Sequence, residues 1–396
     1  MNQTLTLDRP TSEAEVIDIV NEARRARTPL AIEGGATRAG LGRPVRAPRK
    51  LSTAALTGIT LYEPGEMVIS ARAGTPLAEI ESVLAEKGQM LPFEPMDHRA
   101  IYGATGEPSI GAVAACNLSG PRRIQGGAAR DHLLGLRLVN GRGEAVKSGG
   151  RVMKNVTGLD LVKVMCGSFG TLGILTEVTF KVLPRPRRTA TLVIEGLEDA
   201  QAIACLSAAL GSPYEVSGAA HLPACLSPVP QTLLRIEHFP ESVDYRMREL
   251  EKLLASYGPM HRLDHDASLK IWREIGDVTP LAKPSDQSVW RISTAPTRAP
   301  LVMAAISAGL KGQWFYDWGG GLIWFATTAG GDCGAAIVRA AVQSGHATLI
   351  RAPQSVREDV PVFAPPAAPL MQLTRGIKDS FDPHRLFNPG RMYAGL

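Results

Sequence analysis

Apolar residues recur at helical spacing close to the amino terminus. The stripe consists of four residues: Val16, Ile17, Val20 and Ala23. Ser12-Glu-Ala-Glu15, directly before the stripe, is a capping box, a pattern that satisfies free N–H groups at the start of a helix. Short apolar runs at residues 4–7 and 30–32 predict strands on either side. Residues 1–60 are therefore predicted to fold as a β-α-β unit.

Between residues 61 and 186 the apolar pattern alternates between strand and helix spacing. A predicted strand at 67–71 precedes a helix from Thr75, with Pro76 at the first helical position, where a missing N–H does no harm. Further along, the pattern predicts a helix, a hairpin, a short helix and a strand. Their residues are 109–118, 133–139 with 144–147, 159–166 and 173–182.

A break rich in proline and arginine at residues 183–188 precedes a less regular region. Strand-like runs there alternate with helical ones. The strand-like runs are 191–194, 232–236 and 322–326, and the helical runs are 200–210, 245–257 and 299–308. A proline-rich linker at 361–369 then leads to a helix at about residues 370–380.

These patterns predict an α+β protein with three parts. The first part, residues 1–186, has two subdomains with bounds at about 1–60 and 61–186. Residues 187–362 are predicted to form a smaller α+β domain, and residues 363–396 a carboxyl-terminal segment.

Composition is that of a globular protein in a reducing compartment. Hydrophobic residues make up 44% of the 396 residues, and no uncharged apolar run approaches the roughly 20 residues of a membrane-spanning helix. Five cysteines lie far apart without a C-x-x-C pair, so neither disulfides nor a metal or iron–sulfur site is predicted. The amino terminus lacks a signal-peptide pattern. A cytoplasmic location follows as the expectation.

Positive charge is concentrated in one part of the chain. The net charge is +5, and eight of the arginines and lysines lie between residues 122 and 154. A nucleic-acid interface typically interleaves aromatic residues with such a run, whereas aromatics are only 5% here. An anionic small ligand or an acidic partner surface is therefore favoured over nucleic acid. A solvated basic face remains the alternative for any single arginine.

Three segments rich in glycine and other small residues stand out, at 33–42, 109–120 and 167–178. Successive backbone N–H groups in such loops form nests for phosphate oxygens, and glycine permits close approach of a ligand. The first loop matches neither G-x-G-x-x-G nor the nucleotide-triphosphatase P-loop. Taken alone, it is equally well explained as a flexible turn.

Together in chain order, these loops form part of a longer series. Its elements are 33–42, Ser109-Ile-Gly111, Asn117, Gly120, Arg130-Asp131, Lys154-Asn155, Thr157-Gly158, Asp160-Leu161, 167–177 and Phe387-Asn-Pro-Gly390. The series resembles flavoproteins of the vanillyl-alcohol oxidase / p-cresol methylhydroxylase type. Other segments, among them Val152-Met-Lys-Asn155 and Trp290-Arg-Ile-Ser293, resemble the FAD-binding subunits of bacterial glycolate oxidases over nearly the whole chain.

This resemblance implies a fold in which two α+β subdomains hold FAD, a smaller α+β cap follows, and the carboxyl terminus returns to the FAD-binding domain. The implied pyrophosphate contacts are Gly34, Gly35, Ala36, Thr37 and Arg38. The implied flavin-side contacts are Ser109, Gly111, Asn117, Ser119 and Gly120, with Arg130 and Asp131 in the same set. The adenosine contacts would be Gly170, Gly173 and Ile174, and Asn388 would lie near the isoalloxazine ring. Because residues 33–42 contain no His or Cys, FAD is expected to be non-covalent.

Oxidation of a 2-hydroxy acid also needs a cation for the carboxylate and a base for the hydroxyl proton. Arg291 and His346 are the candidates, since guanidinium matches carboxylate geometry and imidazole titrates near neutrality. The alternatives are an arginine stacked near Trp290 and a structural histidine. Asp317 is a candidate to orient either of these two side chains, and turn formation is its alternative role. Cys116 lies in the segment implied to face the flavin, and simple packing is its alternative role. An aromatic cluster is open to core packing, a flavin wall or a subunit contact: Trp314, Phe315, Tyr316, Trp318, Trp324 and Phe325.

The resemblance implies an FAD-dependent oxidoreductase subunit that takes part in oxidising glycolate, or a similar 2-hydroxy acid, to glyoxylate. Its partners would be a catalytic flavoprotein subunit and an iron–sulfur subunit, in the cytoplasm or at the periphery of the inner membrane. The chain lacks the His-x-Gly-Asp-Gly-Asn-x-His motif of the related catalytic subunit. Two alternatives therefore stay open: a scaffold subunit that holds FAD without chemistry, and a stand-alone FAD-linked 2-hydroxy acid dehydrogenase.

Overall fold

Four β-sheets organise the computed structural model, which describes residues 6–151, 159–328 and 330–396. The strands are β1 (Thr6–Asp8), β2 (Leu30–Glu33), β3 (Arg49–Ser52), β4 (Ile59–Glu63), β5 (Val68–Arg72), β6 (Gln89–Met90), β7 (Leu133–Val139), β8 (Ala145–Gly149), β9 (Ile174–Lys181), β10 (Leu183–Pro184), β11 (Arg188–Glu195), β12 (Gly218–Leu222), β13 (Gln231–His238), β14 (Met260–Leu263), β15 (Ser288–Ser293), β16 (Gly312–Asp317), β17 (Leu322–Thr327) and β18 (His346–Arg351).

Helices cover the faces and edges of these sheets. They are α1 (Glu13–Ala26), α2 (Leu77–Glu86), α3 (Arg99–Tyr102), α4 (Ile110–Cys116), α5 (Arg123–Gly126), α6 (Ala129–His132), α7 (Leu161–Met165), α8 (Asp199–Leu210), α9 (Pro240–Leu253), α10 (His265–Gly276), α11 (Ala299–Ser307), α12 (Ala335–Ala341), α13 (Gln354–Asp359) and α14 (Ala368–Phe381). No helix within the described ranges is long and apolar enough to cross a bilayer.

The amino-terminal strands form smaller sheets, and the later strands form one large sheet. A parallel three-stranded sheet, β1-β3-β2, is formed near the amino terminus, and an antiparallel five-stranded sheet, β4-β5-β9-β7-β8, follows it. The small pair β6 and β10 stands beside them. The remaining strands form an eight-stranded antiparallel sheet, β14-β11-β13-β12-β16-β17-β15-β18, which is the largest of the four. Mixed helix and sheet content of this kind is the predicted α+β class.

The first helix forms for the reasons visible in its sequence. Ser12 Oγ accepts a hydrogen bond from the Glu15 amide at 3.3 Å, and Val16, Val20 and Ala23 are buried. The Glu15 carboxylate, however, accepts from the amide of Thr11 at 2.8 Å rather than from that of Ser12. The hydrogen bonds that cap this helix therefore begin at Thr11, one residue before the predicted capping box.

The second helix begins later than predicted. Pro76 is extended, with ψ 137°, and α2 starts at Leu77 instead of Thr75. The Thr75 hydroxyl donates to the carbonyl of Arg72 at 2.8 Å, which keeps it in the preceding turn. The proline is thus at the cap position and not at the first helical position.

The aromatic cluster packs into the core on both faces of the eight-stranded sheet. Side chains alternate along a strand, so Phe315 and Trp324 face one side while Tyr316 and Phe325 face the other. The first side packs against residues of the amino-terminal part, including Met96. The second side packs against helices of the eight-stranded sheet itself. Core packing therefore accounts for these rings.

The carboxyl-terminal tail returns to the three-stranded sheet. Phe387 forms a parallel bridge with Leu30, whose amide donates to the carbonyl of Leu386 at 2.7 Å. Lys378 of α14 is buried, and its Nζ donates to Asp382 at 2.7 Å and to the carbonyls of Thr171 and Phe387. One ammonium group therefore ties the last helix, the tail and the loop before β9 together.

We predict that Lys378→Met lowers the free energy of unfolding by about 3 kcal/mol, because the fully buried Asp382 carboxylate loses its cation. The matched control is Lys252→Met, which removes an exposed ion pair with Glu249 and should leave the free energy of unfolding nearly unchanged. Urea unfolding followed by circular dichroism measures both changes. Equal, small effects for the two variants would contradict this account.

Candidate functional site

A cleft of about 190 Å³, open to solvent, lies between the loop after β2 and the start of α4. The loop before β9 and the tail close its other sides. Eight of the residues that the sequence predicted to bind a cofactor line this cleft: Gly34, Gly35, Ala36, Thr37, Arg38, Gly111, Gly170 and Gly173. The structure thus brings three segments together that are far apart in the chain.

Close backbone contacts explain the glycines. A Cβ atom on Gly35 would lie 1.8 Å from the carbonyl oxygen of Glu107, and one on Gly34 would lie 2.4 Å from Ser109 Oγ. Gly170 has φ +69°, a conformation that side chains other than hydrogen disfavour. Larger residues at these positions would push the walls of the cleft apart.

The cleft is strongly cationic. Arg38, Arg43, Lys50 and Arg391 line it, whereas its only acidic lining residue, Glu33, lies 3.5 Å from the Lys50 ammonium group. Arg43, Lys50 and Arg391 were missed by the sequence analysis. Arg391 directly follows the Asn-Pro-Gly motif, which was the available signal for it.

Two polar groups at the cleft lack partners. Ser109 Oγ and Arg391 Nε are buried without a hydrogen bond to any described residue. Such groups are rare in folded proteins, because an unpaired buried polar atom costs free energy. Burial lowers the pKa of the Arg391 guanidinium, which nevertheless stays charged at neutral pH. Both groups are therefore free to bind an anionic ligand.

Arg38 is fixed by a buried histidine. Its Nε donates to His98 Nδ1 at 3.1 Å and a terminal nitrogen donates to the carbonyl of Met96 at 3.3 Å. Burial, with Arg38 and Arg291 nearby, holds the pKa of His98 well below its usual value. The imidazole is therefore neutral and accepts from the guanidinium.

Several other predicted contacts lie in an adjoining loop, where their side chains accept hydrogen bonds from the backbone of that loop. Asn117 Oδ1 accepts from the amide of Arg130 at 3.0 Å, and Ser119 Oγ accepts from that of Ala129 at 3.0 Å. Asp131 caps α6 by accepting from the Ala128 amide at 2.8 Å. These side chains shape residues 117–131. Gly120, in the same loop, packs against the backbone of Glu94.

Two predicted contacts have clear structural roles. Ile174 pairs with Val139 in the five-stranded sheet, its side chain is fully buried, and it is not among the residues that line the cleft, while its main-chain contact with the adenosine end stays a prediction. Asn388 Oδ1 accepts from the Ile32 amide at 2.8 Å, and its Nδ2 donates to the carbonyls of Phe169 and Gly170. Asn388 therefore joins β2 to the loop before β9 and has no donor left for a flavin ring.

The candidate catalytic residues share one face of the eight-stranded sheet. Arg291 pairs with Thr348, and His346 pairs with Ser293 two residues along, which places both side chains on the same side. The Arg291 guanidinium lies 5.0 Å from the centre of the Trp318 ring, and burial lowers its pKa to about 10. Desolvation and the neighbouring arginines lower the pKa of His346, although the residue is exposed to solvent.

The contacts of Asp317 and Cys116 support their structural alternatives, a turn and simple packing. Asp317 Oδ1 accepts from the Trp318 amide at 2.7 Å, which is the turn-forming role, while burial raises the pKa of its carboxyl to about 7. Burial raises the pKa of the Cys116 thiol, which suits a packed residue. No group of metal-binding side chains is present in the described part of the chain. Segments 152–155 and 157–158, used in the sequence analysis, lie outside the described residues.

Comparisons with known proteins match these features. A family model described as an FAD binding domain matches residues 5–149. The glycolate oxidase subunit GlcE of Escherichia coli (strain K12) is 37% identical over 381 residues, which is 96% of this chain and 97% of that protein. A D-lactate dehydrogenase of Anaerostipes hadrus is 31% identical over 47% of this chain and 38% of its own length.

Solved structures agree on the fold. A 4-ethylphenol oxidase from Gulosibacter chungangensis superposes with a TM-score of 0.75, at 12% identity, over 98% of this chain and 89% of that one. An alkyldihydroxyacetonephosphate synthase gives 0.70 at 15% identity, over 97% of this chain and 75% of the other. The FAD-binding family match and the similarity to known oxidoreductases thus define an FAD-dependent oxidoreductase, and the solved structures agree with a p-cresol methylhydroxylase-type fold.

Within that class, the similarity to GlcE extends over nearly the full length of both proteins, which identifies the family. The chain belongs to the family of the glycolate oxidase subunit GlcE.

We predict that Gly35→Ala reduces the FAD content of the purified protein at least about tenfold, because the new methyl group collides with the Glu107 carbonyl and displaces the loop. Gly65→Ala is the matched control, since nothing lies within 4 Å of its Cβ position. The ratio of flavin to protein absorbance gives the FAD content, and circular dichroism checks folding. Full FAD content in a folded Gly35→Ala variant would refute the placement of FAD in this cleft.

Proposed function

We propose that this chain is the FAD-binding subunit of a glycolate oxidase complex and takes part in the oxidation of glycolate to glyoxylate. The observation that carries this proposal is the similarity to GlcE over 96% of the chain, which includes the eight-stranded sheet as well as the FAD-binding domain. The partial similarity to the GlcD subunit of Bacillus subtilis (strain 168), 25% over 65% of this chain, supports the same substrate class.

The cleft residues fit the chemistry of FAD. A diphosphate needs N–H groups and cations, and the cleft offers glycine-rich backbone together with Arg38, Arg43 and Arg391. The unpartnered Ser109 Oγ and Arg391 Nε supply two further donors. When bound, FAD supplies the acceptor for the hydride that leaves the carbon bearing the hydroxyl group.

The eight-stranded sheet supplies the substrate-side groups. Arg291 binds the carboxylate of glycolate, since its guanidinium has no hydrogen bond to any described residue and faces the amino-terminal part. His346 has a lowered pKa, so it is neutral at pH 7 and accepts the hydroxyl proton.

FAD is held non-covalently in this proposal. Residues 33–42 contain no His or Cys. Cys116 lines the cleft, but burial raises the pKa of its thiol and keeps it protonated, which makes it a poor nucleophile.

A complex with two further subunits accounts for the fate of the electrons. The chain has five cysteines, all free in the structure, and it has no cluster ligands among the described residues. A catalytic flavoprotein subunit and an iron–sulfur subunit would complete the pathway. Free thiols suit the cytoplasm, including the cytoplasmic surface of the inner membrane.

We expect anaerobic glycolate to bleach the visible flavin absorbance of the purified, FAD-loaded chain, because the chain contains both the substrate groups and the cofactor site. Absorbance spectra recorded before and after addition measure this directly. An unchanged spectrum would favour the scaffold alternative. Full turnover with a dye acceptor and no partner subunit would favour a stand-alone dehydrogenase.

The rate of bleaching should also depend on pH through His346. Its neutral form accepts the proton and its pKa is lowered from the usual 6.5, so the rate should be constant at neutral pH and fall only at a more acidic pH than for a free imidazole. His346→Gln should slow bleaching about a hundredfold and remove this dependence. An unaltered pH profile in the variant would assign the proton to another group.

A further inference from the structure

Trp318 joins the two halves of the molecule. It lies in the tight turn between β16 and β17 with φ +55°, a left-handed conformation that is unfavourable for a bulky residue. Its indole Nε1 donates to the carbonyl of Gly120 at 3.1 Å, across to the loop that precedes α5. The ring is therefore held at a defined position between the eight-stranded sheet and the amino-terminal part.

Two guanidinium groups lie against this one ring. The Cζ atom of Arg123, at the start of α5, is 4.4 Å from the ring centre, and that of Arg291, on β15, is 5.0 Å from it. The two charges are therefore within about 10 Å of each other, where like charges repel. Neither guanidinium group has a hydrogen bond or an ion pair with any residue the structure describes; Arg123 is exposed to solvent, whereas Arg291 is partly buried.

A second tryptophan in the same sheet system shows the contrast. Arg235 lies 4.9 Å from the centre of the Trp272 ring, but Glu94 accepts from both of its terminal nitrogens, at 2.8 and 3.0 Å. Arg122, the neighbour of Arg123, pairs with Glu237. Charge balance is thus complete around Trp272 and incomplete around Trp318.

The nearby acids do not supply the missing balance. Asp317 has one oxygen bound to the Trp318 amide, and burial raises the pKa of its carboxyl to about 7, so it carries only part of a charge at neutral pH. Asp131 acts on Arg123 only from a distance and caps α6. His346 adds a third group that becomes cationic as pH falls. The two guanidinium groups beside Trp318 are therefore left without a hydrogen-bonded carboxylate partner among the described residues.

We propose that Arg123 is a second carboxylate-binding residue, which together with Arg291 grips the carboxylate of a short 2-hydroxy acid over the Trp318 ring. This inference rests on the proposed function, because it names the substrate contact of the same site. A planar guanidinium pair matches a carboxylate through charge-assisted hydrogen bonds. A small dicarboxylate such as oxalate, which offers two anionic groups, binds more tightly than acetate.

The site draws one arginine from each side of the molecule. Arg123 belongs to the amino-terminal part and Arg291 to the eight-stranded sheet, and the Trp318–Gly120 hydrogen bond fixes their separation. The carboxylate site is consequently complete only when the two sides are docked.

The test is direct binding of oxalate, an unreactive probe, to the FAD-loaded full chain, followed by tryptophan fluorescence and the flavin difference spectrum. Arg123→Gln should raise the Kd for oxalate at least about tenfold, because a charge-assisted bond is lost. Arg123→Lys keeps the charge without the planar fork, so its Kd for oxalate should lie between those of the wild type and Arg123→Gln. Arg187→Gln is the matched control: this exposed arginine lies 5.2 Å from the centre of the Phe239 ring, and its loss should change the Kd less than twofold.

Oxalate binding to Arg123→Gln within twofold of the wild-type Kd would overturn the proposal, as would absence of binding to the wild type. If Arg123→Gln does not fold, an unchanged Kd in Arg123→Lys overturns it equally. Failure of the proposed function has a different signature: oxalate binds in an Arg123-dependent way, yet glycolate leaves the flavin oxidised.

Discussion

The attachment of the carboxyl-terminal tail to the loop before β9 is the constraint on which the cleft depends. Asn388 bonds to β2 and to the carbonyls of Phe169 and Gly170, while the buried Lys378 ammonium group binds Thr171 and Phe387. Without these contacts, neither the glycine loop nor Arg391 would have a fixed position. The tail is thus a structural wall of the cofactor site, although it lies some 350 residues from the first glycine loop.

Positive charge without a carboxylate partner occurs both in the cofactor cleft and at the two guanidinium groups beside Trp318. His98 lies between them, and its pKa is lowered by burial and by both Arg38 and Arg291. A neutral imidazole at this point lets the two guanidinium groups approach without a third cation. The arrangement fits a cofactor with a diphosphate at one end and an anionic substrate at the other, whereas the buried Arg235 is neutralised by the Glu94 carboxylate.

Local features of the fold were predictable from the sequence. The start of α1 follows from Ser12, the β7–β8 hairpin from its Asn-Gly-Arg-Gly turn, and the glycine loops from close backbone approach. The start of α2 was predicted at Thr75 and lies at Leu77, because the Thr75 hydroxyl competes for a turn carbonyl. Such a competition between neighbours is invisible in residue spacing.

Long-range roles were less accessible. Asn388 was expected near a flavin ring, yet its hydrogen bonds are all spent on β2 and the glycine loop. Arg391 and the stacking of Arg123 on Trp318 join residues that no periodicity connects, and they became visible only once the chain was folded.

The central claim is that this cationic cleft binds FAD through its diphosphate. Titration of the flavin-free chain with FAD and with riboflavin, followed by flavin fluorescence, tests it most directly. The account predicts that FAD binds at least about a hundredfold more tightly than riboflavin, which lacks the diphosphate. Equal affinity for the two flavins, or no binding of FAD, would contradict it.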